Sequence, residues 1–349
     1  MRISDIGEFG LIDRISRALP SLGPDVVVGV GDDVAVLHPP RSPRRRGEGE
    51  RLLLATCDIQ LEGAHFLQDR ITPTQLGRKA LAINLSDIAA MGGTPTYALI
   101  SLGLPPETEV AYVDELYAGL RAEAEAAGVA IVGGNMSRSP LGLVVDIFLL
   151  GEVASEHLML RSGARPGDAV LVTGTLGDAA AGLALLLDDT LRPDEAHAAR
   201  VKAAFLTPTP RLAEGQAIAR IGLATAMIDL SDGLASDAGH ICERSGVGVR
   251  IWAERLPVSS AAQAVAALAG RDPLEWALAG GEDYELCFTA PPEAVEPLTA
   301  AVVEATGTPV TTVGEIVPAS EGRVLVQADG RTMPLEAAGW DHFRERVHK

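Results

Sequence analysis

The stretch Lys79-Ala80-Leu81-Ala82-Ile83-Asn84-Leu85-Ser86-Asp87-Ile88-Ala89-Ala90-Met91-Gly92 frames the reading of the whole chain. Across residues 74–91 the apolar positions Leu76, Ala80, Ile83, Ala90 and Met91 recur at helical spacing and trace one face, and Asp87 falls on the same stripe. A carboxylate on a core-facing stripe needs a partner, either backbone amides or a cation. Gly92-Gly93 followed by Pro95 ends the helix.

Asp87 belongs to one of five short acidic segments set among glycines or small residues. They are Gly31-Asp32-Asp33, Thr56-Cys57-Asp58, Leu85-Ser86-Asp87, Asp229-Leu230-Ser231-Asp232-Gly233 and Gly280-Gly281-Glu282-Asp283. Together they read as an oxygen-ligand cage for hard cations. Carboxylates without accompanying His or Cys favour Mg²⁺, Mn²⁺ or Ca²⁺, and Mg²⁺ usually takes one or two carboxylates plus substrate phosphates. A nucleotide-phosphate site is the first expectation.

The surrounding pattern predicts an α/β chain. Residues 26–30 and 51–57 read as buried strands, each delivering an acidic turn at its end, where ligand sites of α/β proteins gather. Phe9, Ile12, Ile15 and Leu19 predict a helix over 8–19, stopped by Pro20 and Gly23. Strands are expected at 97–104, 129–133 and 143–150, with a helix at 107–127. Residues 154–167, carrying Arg161, cross to a second half with a strand at 169–173 and a helix at 179–187. Thr207-Pro208-Thr209-Pro210 breaks the chain before a helix at 211–220, and a strand at 224–228 feeds the Asp-Leu-Ser-Asp turn. Ser231 is placed to cap the helix that follows it toward Arg244.

At 349 residues the chain is long enough for two domains, placed at 1–153 and 154–349. Its 47% hydrophobic content gives both a core. A formal net charge of -18 argues against a nucleic-acid surface or an anionic membrane as partner. The basic run from Arg41 to Arg51 is interrupted by Pro43, Gly47 and Gly49 and lacks aromatics to stack bases, so it reads as a solvated loop between two strands. Cys57, Cys242 and Cys287 are widely separated and without metal-ligand spacing, which fits a reducing compartment. The N-terminus has no apolar signal core and no segment approaches the roughly 20 apolar residues of a membrane span, so a cytoplasmic location is expected.

No Gly-x-x-x-x-Gly-Lys-Ser/Thr loop, His-Glu-x-x-His or Gly-x-Ser-x-Gly occurs. Gly174-Thr175-Leu176-Gly177 lacks the full dinucleotide fingerprint and reads as a tight strand-to-helix turn. Phosphoryl transfer needs charge neutralisation and in-line positioning more than covalent help from the protein. Mg²⁺ ions held by Asp33, Asp58, Asp87 and Asp232 would supply both. If the acceptor is itself a phosphate, its oxygen is already ionised near neutral pH and no strong base is required.

Six blocks taken in order carry a family resemblance. They are Gly31 to Val36; Asp58 with Glu62-Gly63-Ala64-His65-Phe66; Lys79 to Gly92; Ile228 to Leu234; Gly280 to Cys287; and Gly339-Trp340-Asp341-His342-Phe343. Each is weak alone, but in sequence they resemble the thiamine-monophosphate kinases over essentially the full chain. The resemblance implies the two-domain α/β (α+β) fold shared with aminoimidazole ribonucleotide synthetase and selenophosphate synthetase. An N-terminal domain carries the dimer-forming sheet and much of the ATP and Mg²⁺ site, and a C-terminal α/β sandwich domain completes the nucleotide and substrate site. It implies a homodimer, several Mg²⁺ ions, and ATP as co-substrate donating its γ-phosphate directly to thiamine monophosphate, with Asp58, Asp87 and Asp232 at the catalytic centre.

By position, the resemblance implies Mg²⁺ ligands at Asp33, Thr56, Cys57, Asp58, Asp87, Asn135, Asp229 and Asp232. It implies ATP contacts at Gly134, Arg161 and Ser231, where a guanidinium offers a forked donor to phosphate. Substrate contacts are implied at His65, Glu282 and Trp340, the last an aromatic face suited to a cationic thiazolium or flat pyrimidine. Two positions depart from the family. Asn135 follows the paired glycines where an Asp is usual, and Cys57 stands where Thr is usual. Asn offers only a neutral carbonyl and a neutral thiol suits Mg²⁺ poorly, so a weaker hold on one ion is expected. Competing readings are a related ATP-using enzyme with another acceptor, a metal-dependent phosphohydrolase, and a non-catalytic sensor of nucleotide or thiamine phosphate.

Overall fold

The structure is a computed structural model that describes residues 3–18, 24–39 and 50–335. The basic run from Arg41 through residue 49, the stop signals Pro20 and Gly23, and Trp340 lie outside the described residues.

After helix α1 (Ile3–Ala18), the first half builds strands β1 (Val26–Val28), β2 (Ala35–Leu37) and β3 (Arg51–Leu61), helix α2 (Pro73–Ala90), strand β4 (Thr94–Leu104), helix α3 (Val110–Ala127), and strands β5 (Ala130–Arg138) and β6 (Val144–Ala154). The strands form one sheet in the order β1-β2-β3-β6-β4-β5, antiparallel except for the β4–β5 pair. Thr72 and Gln75 close a capping box at the start of α2, with Pro73 at its first position. α2 and α3 cross tightly because Gly77 and Gly119 let their backbones touch: a Cβ on Gly77 would stand 2.1 Å from the Leu116 carbonyl. Leu52, Leu54, Ala98, Ile100, Val145, Ile147 and Leu149 point from the sheet into the core that these helices cover.

The second half contains strand β7 (Ala169–Thr173), helices α4 (Asp178–Leu187), α5 (Glu195–Leu206) and α6 (Leu212–Ile221), strand β8 (Ala226–Asp229), helix α7 (Leu234–Ser245), strand β9 (Val247–Trp252), helices α8 (Ser260–Ala269) and α9 (Pro273–Ala279), strand β10 (Leu286–Ala290), helix α10 (Val295–Thr306), and strands β11 (Val310–Pro318), β12 (Arg323–Val326) and β13 (Thr332–Pro334). Its sheet runs β13-β12-β9-β11-β7-β10-β8. Every residue of β7 is buried because both faces are covered. Val170 and Val172 join Leu234, Ile241 and Ala277 on one side, while Leu171 joins Ile218, Leu298 and Val302 on the other.

Several predicted element bounds shift, among them the strand expected at 129–133, which runs on to Arg138 and takes Gly134 and Asn135 into β5, and two further readings bear on the site. The strand expected to end at residue 57 continues to Leu61, because β6 pairs with it without interruption from Arg51↔Ala154 to Leu61↔Val144. Thr56-Cys57-Asp58 is therefore mid-strand and its side chains alternate in direction. Ser231 does not cap α7. Gly233 holds the N-cap position without a side-chain bond, and Asp237 inside the helix accepts from the Asp232 and Gly233 amides instead. The turn at Gly174–Gly177 does join a strand directly to a helix, as its sequence predicts.

Candidate active site

α2 is the element the two halves share. One side packs on the first sheet through the apolar stripe, and α6 and β8 lie against another, with Gly215 so close that a Cβ would stand 2.1 Å from the Ala89 carbonyl. Polar side chains then leave α2 at several angles. Asn84 accepts from the Asp58 amide at 3.0 Å and donates to Ala80 O. Ser86 donates to Asp229 Oδ2 at 2.6 Å. Asp87 accepts from Thr56 Oγ1 at 2.5 Å.

Three of the predicted acids converge. Oxygen atoms of Asp33, Asp87 and Asp229, from the turn before β2, from α2 and from the end of β8, all lie within 4.8 Å of one another. Ionised carboxylates at that spacing repel by roughly 3 kcal/mol per pair at an effective dielectric near 20. Burial raises the Asp87 pKa well above the usual range, and Asp58, Asp229 and Asp33 add to the rise while the Thr56 bond opposes it. Burial likewise raises Asp229, with Asp33 adding to it and the Ser86 bond and Arg161 opposing. Proton uptake and a bound divalent cation are the two ways to relieve this repulsion.

Arg161 supplies part of the counter-charge. Its Nη2 lies 2.5 Å from Asp33 Oδ1, and its backbone amide donates to Asp32 at 3.3 Å. Burial alone would lower its pKa, but Asp33, Asp229 and Asp32 together outweigh that and raise it. Asp32 is raised to about 6, chiefly by burial and then by Asp33, with Arg161 opposing. Asp33 Oδ2 and Arg161 Nε are buried without a hydrogen-bond partner among the described residues. The oxygen-only donor set and the orphaned carboxylate oxygen fit a hard cation.

The strand alternation separates residues that sequence had grouped. Thr56 and Asp58 share the face of β3 that α2 covers, since their register partners Leu149 and Ile147 are buried there. Cys57 is exposed on the opposite face, opposite Phe148. Asn135 lies on the edge strand β5 opposite Ser101, which in turn pairs with Asp146 and so with Ile59. This cross-strand row and Cys57 belong to the uncovered face. Burial raises the Cys57 pKa, and Asp146 and Asp58 add to it. Gly134 comes so near β4 that a Cβ would stand 1.8 Å from Ile100 O.

The remaining predicted residues divide. Asp232 and Ser231 follow Asp229, and the Ser231 carbonyl accepts from the Glu282 amide at 2.7 Å. His65 Nδ1 accepts from the Leu61 amide at 2.9 Å, which places the proton of the neutral ring on Nε2. Glu282 Oε1 lies 3.0 Å from Lys79 Nζ. Asp283 does not join the cage. It accepts from the Gly177 and Ala179 amides at 2.8 and 3.3 Å and so caps the start of α4. Sequence reasoning assigned no separate role to Lys79, Asn84, Ser86 or Asp32; their signal is polar character inside the α2 stripe and the doubling of Asp at 32–33.

The fold and the acidic centre define a two-domain AIR synthase related protein. Profiles for the N-terminal and C-terminal domains of that group match residues 31–153 and 165–327. Thiamine-monophosphate kinase of Aquifex aeolicus is 39% identical over 98% of this chain and 100% of its own. The Salmonella typhimurium enzyme of that name is 41% identical over 97% and 98% of the two chains. The structure of AaThiL complexed with AMPPCP and TMP superposes with a TM-score of 0.82 at 38% identity, covering 98% of this chain and 99% of that one. The chain belongs to the thiamine-monophosphate kinase family and is an enzyme of that family.

Proposed function

We propose that the protein transfers the γ-phosphoryl group of ATP directly to the phosphate of thiamine monophosphate, giving thiamine diphosphate and ADP. The observation that carries this is the convergence of Asp33, Asp87 and Asp229 within 4.8 Å, beside the Arg161–Asp33 pair. Bound Mg²⁺ would supply neutralisation of phosphate charge at this centre. Asp33, Asp58, Asp87, Asp229 and Asp232 are the carboxylates proposed to hold it, with Thr56 beside them; the family positions Cys57 and Asn135 lie on the opposite, uncovered face of the first sheet and would serve only an ion bound on that side. Ser86 and Thr56 fix two of those carboxylates by donating to them. Arg161 is aimed at the same centre and is proposed to offer N–H groups to ATP oxygens; Gly134, whose missing Cβ makes room for the β4 backbone at Ile100, is the proposed backbone contact to ATP. The acceptor phosphate arrives ionised, so no side chain has to remove a proton. His65, Glu282 and Trp340 are proposed to receive the thiamine portion.

The working unit is proposed to be a homodimer built on the uncovered face of the first sheet. Tyr97 is 51% and Phe148 39% exposed there, and Ile59 and Leu99 lie beside them. Exposed apolar side chains gathered on one sheet face are the kind of surface a partner covers, which supports this reading. The domains are taken as residues 1–153 and 154–349, and cytoplasmic placement follows the sequence expectation. None of the described helices is long and apolar enough to cross a membrane.

Incubation of purified protein with ATP, Mg²⁺ and thiamine monophosphate tests the reading, with products followed by mass and Asp58→Ala as control. Thiamine diphosphate with equal ADP supports it. Free phosphate alone indicates a hydrolase, and binding without turnover a sensor; either result defeats the kinase reading.

A further inference from the structure

Lys79 is the largest fully buried side chain in the described protein, at 0% exposure, and it is a cation. Its ammonium lies 3.0 Å from Glu282 Oε1 and 3.6 Å from the centroid of the Phe205 ring. The contact with Glu282 is an ion pair whose alignment falls short of a hydrogen bond, so Nζ has no hydrogen-bond partner among the described residues. Burying an ammonium is expensive, and an apolar side chain of the same length is often as stabilising as a buried ion pair or more so. Packing therefore does not account for a lysine at this place.

The partner of that ammonium is held just as deliberately. Glu282 has φ +59° and Tyr284 φ +48°, and they are the only non-glycine residues with positive φ among the described residues. Such conformations cost on the order of 1–3 kcal/mol each and persist only where surroundings enforce them. Here the enforcement is visible: the Glu282 amide donates to Ser231 O at 2.7 Å and the Tyr284 amide to Leu230 O at 2.9 Å. The loop is thereby laid along the Asp229–Asp232 turn, and Tyr284 is 7% exposed. Lys79 ties the same loop, from the second domain, to α2 of the first.

We propose that Lys79 is the positioning residue of the acceptor site: it fixes the Glu282 carboxylate by one oxygen, leaving the other directed at an N–H donor or cationic ring of the phosphate acceptor. The inference rests on the acceptor reading of Glu282 given above. Lys79 and Ser86 stand seven residues apart, two turns along the same face of α2. One helix face thus sets the acceptor carboxylate and the metal-site carboxylate Asp229 in fixed relation, which is what in-line transfer between two bound substrates requires.

A double-mutant cycle of wild type, Lys79→Met, Glu282→Gln and Lys79→Met/Glu282→Gln tests this, with KM for thiamine monophosphate, KM for ATP and kcat measured separately. Lys79→Met is expected to raise KM for thiamine monophosphate about tenfold or more while KM for ATP moves less than about twofold, the loss of one well-placed charged contact. The double variant, which strands no buried charge and is therefore the better folded protein, is expected to match Glu282→Gln within about twofold. A further tenfold loss in the double variant beyond Glu282→Gln would show that Lys79 does not act through Glu282 and would overturn the inference. Equal changes in both KM values would do the same. If wild type forms no thiamine diphosphate, the functional reading falls and the inference with it; a working wild type with unchanged KM in Lys79→Met removes the inference alone.

Discussion

Ser86 and Asp229, 143 residues apart in the chain, share a buried hydrogen bond of 2.6 Å that joins the central helix of the first half to the last residue of β8 in the second. The hydroxyl opposes the rise in Asp229 pKa that burial and Asp33 impose. Ser86→Ala removes the donor and leaves a buried carboxylate less satisfied. The expected result is a loss of about 1–2 kcal/mol of stability by thermal or urea unfolding. The Mg²⁺ concentration for half-maximal activity should also rise, since losing the donor favours the protonated over the metal-binding carboxylate. An unchanged metal requirement would show that Asp229 does not hold the metal.

Asn135→Asp addresses the missing acid. Asn135 shares a cross-strand row with Ser101 and Asp146, so a carboxylate there adds negative charge beside an existing one. The half-saturating Mg²⁺ concentration is expected to fall by about threefold or more, because ligand charge tunes affinity for hard cations. In chelator the variant should melt at or slightly below the wild-type temperature, because it adds a second negative charge two strands from Asp146 on the same face. A Mg²⁺ requirement identical to wild type would remove Asn135 from the metal site.

The physical basis of legibility differs between helix, strand and loop. The period of α2 and the Gly-bounded acids were visible in sequence because a buried polar residue on an apolar stripe stands out locally. Asp33, Asp87 and Asp229 accordingly meet. The face of Cys57 was not visible, because it depends on β3 continuing to Leu61, and that is decided by pairing with β6 some ninety residues away. Asp283 shows the same limit: its glycine-rich setting resembles that of the cage acids, yet tertiary placement gives it the start of α4. The capping role expected of Ser231 failed because Asp237, from within the helix, reaches the same amides.

Asp32 gives a pH dependence with a defined sign. Its pKa is raised from 3.8 to about 6 in the folded, metal-free protein. Between those values the folded state keeps a proton that the unfolded chain has lost, so this group's contribution to stability is complete below about pH 4 and declines through about pH 6. Asp32→Asn does not titrate. The stability of the variant relative to wild type, measured by urea unfolding in chelator, should therefore increase from pH 4 to pH 7 by an amount on the order of 3 kcal/mol. Saturating Mg²⁺ should narrow the gap, since a nearby cation favours the ionised carboxylate. A difference that stays flat across this window would contradict the assignment.

Phe148→Asp tests the sheet face. Phe148 lies opposite Cys57 on β3 and Leu99 on β4, at the centre of the exposed apolar rows, and contributes nothing to the core beneath α2. A charge there is tolerated by a lone chain but must be desolvated, against its own copy, in a two-fold interface. Sedimentation should show wild type as a dimer and the variant as a folded monomer with a far-ultraviolet spectrum like that of wild type. A variant that remains dimeric would place the interface elsewhere. If activity falls in parallel with dimer content and returns at high protein concentration, the second copy is required for turnover; full activity of the monomer would confine the site to one chain.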